Sequence, residues 1–236
     1  MKNSAAILES AWRVDQLCEQ LENIERGVPV RFTHVGWDEY SAFLDEMGND
    51  YYRSSYSDGE FEILMPLSID AARAYIVSRL IQTLADELDL PIKGLDPVTI
   101  RREDLQKGLE PDRCFYFDNE PLVRGKLHLD FDIDPPPDLA VEAEVTVSIG
   151  RRLRIYAALG VPEVWRYDDG LIVCQLNEDS EYVTVERSRF FPKVPLTELV
   201  KFVKMYEQMG ERELFKTFRT WVRGQIAAGW PETGAE

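Results

Sequence analysis

Hydrophobic and polar positions recur along this chain with two different periods, and the switches between them mark out its elements. Ile7, Trp12, Val14, Leu17 and Leu21 lie at helical spacing and predict a helix over 5–26 with one apolar face, stopped by Gly27-Val28-Pro29. Residues 30–35 read as a short extended run, and Gly36-Trp37-Asp38 opens a second helix to about Met47. Period two then takes over: residues 51–56, an Asp58-Gly59 pair, and Phe61, Ile63 and Met65 alternating with Glu60, Glu62 and Leu64. This pattern predicts a hairpin, because Asp-Gly tolerates the positive φ that a two-residue turn demands at both positions. Ser68 is expected to cap a long helix to about Leu88, its buried stripe being Ala72, Ile76, Leu80, Leu84 and Leu88, widened by Val77 and Ile81.

Short strands are predicted near 91–93 and 98–101, a polar turn over 102–108, and a strand entered at Asp112 and running through Phe117. Residues 118–137 are acidic and proline-bearing and read as loop. A strand over 139–145 follows, then a helix over 151–159 closed by Gly160. Residues 161–167 and 171–176 form a strand pair around Asp168-Asp169-Gly170, and 182–185 adds another strand. From Leu196 the chain is helical to about Ala228 with a break at Gly210, and Leu199, Val203, Tyr206, Leu214, Phe218, Trp221 and Val222 mark its apolar face. The layout is α+β. It is expected to divide into an N-terminal helical arm (1–34), a core (35–192) and a C-terminal helical extension (193–236).

Composition changes this picture only in places. With 236 residues and 44% hydrophobic content the chain has ample material for a core. A net charge of −16 argues against broad, non-specific phosphate binding but leaves room for a local basic groove. Cys18, Cys114 and Cys174 are odd in number and lack metal-type spacing, as expected of reduced thiols in a cytoplasmic protein. The opening residues lack a signal peptide's apolar run, and no stretch is long and apolar enough for a membrane span, so a soluble, intracellular protein is expected.

The chemistry concentrates in residues 135–146. The proline run 135–137 cannot join a ladder, and the strand behind it is apolar except for Glu142 and Glu144. Alternation puts those two carboxylates on one face, where they repel each other unless a cation intervenes. Asp112 precedes another strand thirty positions earlier, and a loop of that length can bring it beside Glu142. Asp112, Glu142 and the Ala143 carbonyl would form the partial oxygen shell that magnesium (or manganese) accepts, with water completing it. The competing reading leaves both acids solvated or bonded to turns. Arg151 and Arg152 fall in the first turn of the next helix, where the dipole disfavours cations by about 0.3–1 kcal/mol. Either Arg152 bridges back to Glu142 or Glu144, or it meets a substrate phosphate.

Four segments, 58–66 (DGEFEILMP), 101–112 (RREDLQKGLEPD), 135–142 (PPPDLAVE) and 155–167 (IYAALGVPEVWRY), together resemble the Uma-two family of restriction-endonuclease-like proteins over about 35–190. The resemblance implies a restriction-endonuclease-like (PD-(D/E)XK) fold: a mixed central β-sheet flanked by helices, here with helical N- and C-terminal arms. It implies a Mg-dependent (or Mn-dependent) endonuclease hydrolysing the phosphodiester bonds of DNA. Asp112 and Glu142 take the positions of the family's two acids and of its metal ligands. Glu144 would be an assisting acid and Arg152 a charge stabiliser. Three departures stand out. Glu144 occupies the place where the superfamily often has lysine, and Arg152 the place where some members carry a lysine on the helix. Asp70-Ala71 falls where the family usually has an acid or histidine, and Asp70 either stands in for that residue or favours the helix N-terminus.

His34 and His128 lack partners at ligand spacing and read as structural, as do Trp165, Phe190 and Phe191. Lys107 reads as a solvated loop lysine, and Thr146 and Ser148 as possible caps of the following helix. The rival function is a catalytically inactive nuclease-fold protein that binds or scaffolds through its helical arms. Homodimerisation is expected, since cutting two strands calls for two sites and the arms carry apolar faces.

Overall fold

The computed structural model of the chain describes residues 6–8 (as backbone), 25–47, 52–95, 98–143 and 149–230. The described strands assemble into two six-stranded sheets. The first contains β1 (Ala6–Leu8), β2 (Val30–Phe32), β3 (Arg53–Ser57), β4 (Glu60–Leu64), β6 (Ile100–Arg102) and β7 (Lys107–Leu109), in the order β1-β2-β4-β3-β7-β6. The second contains β5 (Lys93–Leu95), β8 (Arg113–Tyr116), β9 (Leu139–Glu142), β10 (Glu163–Tyr167), β11 (Leu171–Leu176) and β12 (Tyr182–Val185), in the order β12-β11-β10-β9-β8-β5. Helices α1 (Trp37–Met47), α2 (Ser68–Glu87), α3 (Glu120–Val123), α4 (Ile149–Leu159), α5 (Leu196–Met205) and α6 (Glu211–Ala227) complete the described elements. The chain is thus α+β with mixed sheets: β9 and β10 run parallel, joined by a crossover through α4, while β8 and β9 are antiparallel.

The first sheet is built on the predicted hairpin. Asp58 and Gly59 have φ of 51° and 86°, and β3 pairs with β4 so that Tyr56 lies opposite Phe61. Those rings, with Phe32, Tyr40, Phe43 and Ile63, make a buried aromatic cluster under α1, in which Tyr40 stacks on Tyr56 at 4.7 Å. Gly108 in β7 admits the Tyr40 ring, which a Cβ at that position would strike.

The second sheet holds the main core. Leu139, Val141 and Trp165 face α2, whose Ile76, Val77, Leu80, Ile81 and Leu84 are buried against them. The opposite face carries Ala140 and Val164 against Ile155, Tyr156 and Leu159 of α4. Gly160, at φ 79°, ends α4 in the left-handed conformation anticipated for it.

Several expectations need correcting. Residues 6–8, read as part of a helix, form a strand parallel to β2; the rest of that reading up to residue 24 lies outside the described residues. Ser68 does not cap α2; Leu67 holds the cap position and no side chain bonds there. Lys107 is a β7 residue paired with Asp58 at 2.5 Å, not a loop lysine. The apolar face of α5 and α6 is not free: Leu199, Phe202, Val203, Leu214, Phe218 and Val222 are buried in the same cluster as α2. Arg223 on Glu87 at 2.7 Å and Tyr75 on Glu211 at 2.7 Å seal that contact. No described helix is long and apolar enough to cross a membrane. Cys114 and Cys174 are free and buried. Cys18 lies outside the described residues.

Candidate functional site

The two sheets meet where the chain leaves β7 and enters β8, across Glu110-Pro111-Asp112. Pro111 has no N–H for either ladder, which suits a crossing point. The Glu110 N–H still bonds the Ser54 carbonyl of β3 at 3.0 Å, while the next strand already belongs to the second sheet. On that side Arg113 pairs with Val141, so Asp112 lies opposite Glu142 at the end of the β8–β9 ladder. The convergence expected of these acids therefore occurs, and it occurs at a seam between sheets. Both carboxylates are 3% exposed, and Glu110 is 2% exposed.

Two arginines enter from different elements. Arg53, at the head of β3, donates from Nε to Asp112 Oδ1 at 3.0 Å and from Nη1 to Glu110 Oε1 at 3.0 Å. Arg152, in the first turn of α4, donates from Nε and Nη2 to Glu142 Oε1 at 3.1 and 2.5 Å. Its Nη2 also reaches the Glu110 carbonyl at 2.7 Å. Tyr156, one turn further along the same helix face, donates its hydroxyl to the same Glu142 oxygen. The second oxygen of Asp112 accepts the Ala143 N–H at 2.9 Å.

The neighbouring Arg151 faces the other sheet, donating to Ser55 Oγ at 2.7 Å and to the Glu60 carbonyl at 2.6 Å. Each arginine at the unfavourable end of α4 has thus found acceptors. For Arg152 the partner is the Glu142 bridge named as one of two alternatives.

Burial sets the protonation behaviour of this cluster. It pushes the Glu110 carboxyl up to about 7; Arg53 and Arg152 oppose the shift and the charge of Asp112 adds to it. Glu142 is likewise raised by burial, against the pull of Arg152 and with a push from Asp112. Burial alone would lower Arg152, but Glu142, Tyr156 and Asp112 more than reverse this and keep it charged. Asp70, in the first turn of α2, is buried and raised in the same direction by desolvation, with Asp112 and Asp168 adding to the shift. Arg73, three residues along the same helix, opposes the shift and pairs with Asp70 at 3.7 Å.

A divalent cation does not fit this arrangement. Both Asp112 oxygens already accept protein donors, and Glu142 Oε1 accepts three hydrogen bonds from Arg152 and Tyr156. Among the described residues no three His, Cys, Asp or Glu side chains gather closely enough to hold a metal. Glu144, the expected assisting acid, lies outside the described residues, as do Thr146 and Ser148.

Sequence reasoning missed Arg53, Tyr156 and the hub role of Glu110. Glu110 and Tyr156 left a faint signal, as an acid two positions before Asp112 and a hydroxyl four after Arg152. Arg53 left none, being 59 positions from Asp112. His34, His128 and Lys107 take no part, and Trp165 and Phe191 are core, at 0% and 1% exposure.

A family model, Uma2, described as "Putative restriction endonuclease", matches residues 37–203, well over half of the chain. Among solved structures, the crystal structure of "a putative nuclease belonging to DUF820" from Anabaena variabilis aligns with 64% of this chain and 90% of its own. That alignment has 12% identity and a TM-score of 0.43. No curated protein matches.

Proposed function

We propose, from the premise that this chain belongs to the Uma2 family of restriction-endonuclease type, that it is an endonuclease acting on the phosphodiester bonds of DNA. The observation carrying this reading is the meeting of Asp112 and Glu142 at the ends of adjacent strands, with Arg152 between Glu142 and the start of α4. In this reading the arrangement is the resting form. A helix N-terminus attracts anions, and an arriving phosphate competes with Glu142 for the Arg152 guanidinium. Arg152 then steadies negative charge developing on phosphorus, and the released carboxylates are left to orient a water or accept its proton. The family implies magnesium or manganese; since the residues do not fit that ion as they stand, no step is routed through it. The same proposal takes 35–192 as the working unit, Glu144 as an assisting acid, a homodimer as the form that cuts both strands, and the cytoplasm as its setting.

A second reading is favoured by one specific observation, the near-complete burial of the acids under guanidinium groups. It makes the chain a catalytically inactive nuclease-fold binding module. The deciding experiment is a cleavage assay on mixed DNA and RNA, with and without magnesium or manganese, using Asp112→Ala as control. Cutting of DNA that disappears in the variant supports the first reading. Intact substrate under every condition removes it and leaves the second.

A further inference from the structure

We infer that the guanidinium groups of Arg53 and Arg152 stand in for a divalent cation at the sheet seam and keep one out. Three buried acids, Glu110, Asp112 and Glu142, line the seam, and two permanent positive charges are bonded to them. Arg53 spans Glu110 and Asp112, reaching each at 3.0 Å. Arg152 ties Glu142 to the Glu110 carbonyl, at 2.5 and 2.7 Å. The cluster is therefore cross-linked through its own side chains, with acids from the crossing segment and β9 and cations from β3 and α4.

A magnesium ion needs oxygen lone pairs at about 2.0–2.1 Å in near-octahedral order. Any such position on Asp112 Oδ1 would place the ion beside the Arg53 Nε already bonded to that oxygen. Like charges that close cannot share a buried site without large cost, so ion and guanidinium are mutually exclusive. Arginine makes the exclusion durable. Its charge cannot be shed, and its planar fork bonds two acceptors at once, whereas a lysine at either position could swing aside or lose its proton. Between Asp112, Glu110 and Glu142 the cations are side chains of the protein.

The test reads metal binding and stability without substrate, so it is independent of whether the chain cleaves DNA. Calorimetry with manganese chloride and magnesium chloride on the full chain should give no saturable binding for the wild type. Arg53→Gln should gain one manganese site, and Arg53→Gln/Asp112→Asn should lose it. A wild type that binds one ion, with binding abolished by Asp112→Asn, overturns the inference. So does an Arg53→Gln variant that folds and still binds none. Should that variant fail to fold, the thermal midpoint of the wild type decides: equal values in chelator and in millimolar manganese support the inference, and a clear rise in manganese contradicts it.

Discussion

Glu142 and Glu163 are buried carboxylates at opposite ends of one parallel strand pair, β9 and β10, and they are held in different ways. Glu163, 0% exposed, sits in a cage of neutral donors. Trp165 Nε1 and Ser188 Oγ reach its Oε1 at 2.6 Å each, while Gln175 Nε2 and the Arg189 backbone N–H reach Oε2 at 2.9 and 2.8 Å. Every acceptor position is met, and the result pins the chain around Ser188 to the sheet. Glu142 shares its end of the ladder with Asp112 and Glu110, so neutral donors alone would leave several like charges unrelieved in a dry site. Arginines do the relieving. A lone buried carboxylate surrounded by dipoles is a structural pin, while a group of them bridged by arginines marks a centre that an arriving phosphate could rearrange.

The largest effect separating these two ends is expected from Arg152→Ala. It strands Glu142 without its cation and should cost about 3–5 kcal/mol in denaturant unfolding, with Arg152→Lys recovering much of the loss. Glu163→Ala should follow at about 2–4 kcal/mol, because four donors lose their acceptor at once. Its loss should be insensitive to salt, as befits a cage without a charged partner; a strong salt dependence would erase the contrast.

Protonation sharpens the comparison further. Glu110 holds its proton up to about 7 in the fold, against an ordinary value of 4.5. Between these two values the folded chain keeps a proton that the unfolded chain releases. Glu110 therefore makes stability fall as pH rises through that window and level off above it, by roughly 1–3 kcal/mol. Unfolding curves from pH 4.5 to 8 should show this decline, and Glu110→Gln should flatten it. A wild-type stability that rises over the same range would reverse the assigned sign. The smallest change belongs to Arg154→Ala. This exposed arginine shares α4 with Arg152, makes no hydrogen bond among the described residues and should alter stability by less than about 0.5 kcal/mol.

Much of this architecture is legible in hydrophobic periodicity, which located the hairpin at Asp58-Gly59, the long helix α2, the α4 crossover and the two C-terminal helices. Periodicity also placed Glu142 on the face opposite Val141 and Ala143, the face that meets α4. It could not say which side chains fill the space between two acids, because that depends on how the sheets are set against each other. Arg53 reaches Asp112 only because β3 pairs with β7, a contact between segments about fifty residues apart. The same limit misread the apolar stripe on α5 and α6. Its spacing is correct for a sticky face, but only the fold reveals that α2 covers it. At residues 6–8 a three-residue strand is too short for its pattern to outweigh a helical one.

The most direct test of the account is a crystal structure of the wild-type chain grown in millimolar manganese, with anomalous differences collected. The account predicts Arg53 on Asp112 and Glu110, Arg152 on Glu142, and no anomalous peak between the acids. A manganese peak bonded to Asp112 and Glu142, with Arg53 turned away, would contradict it.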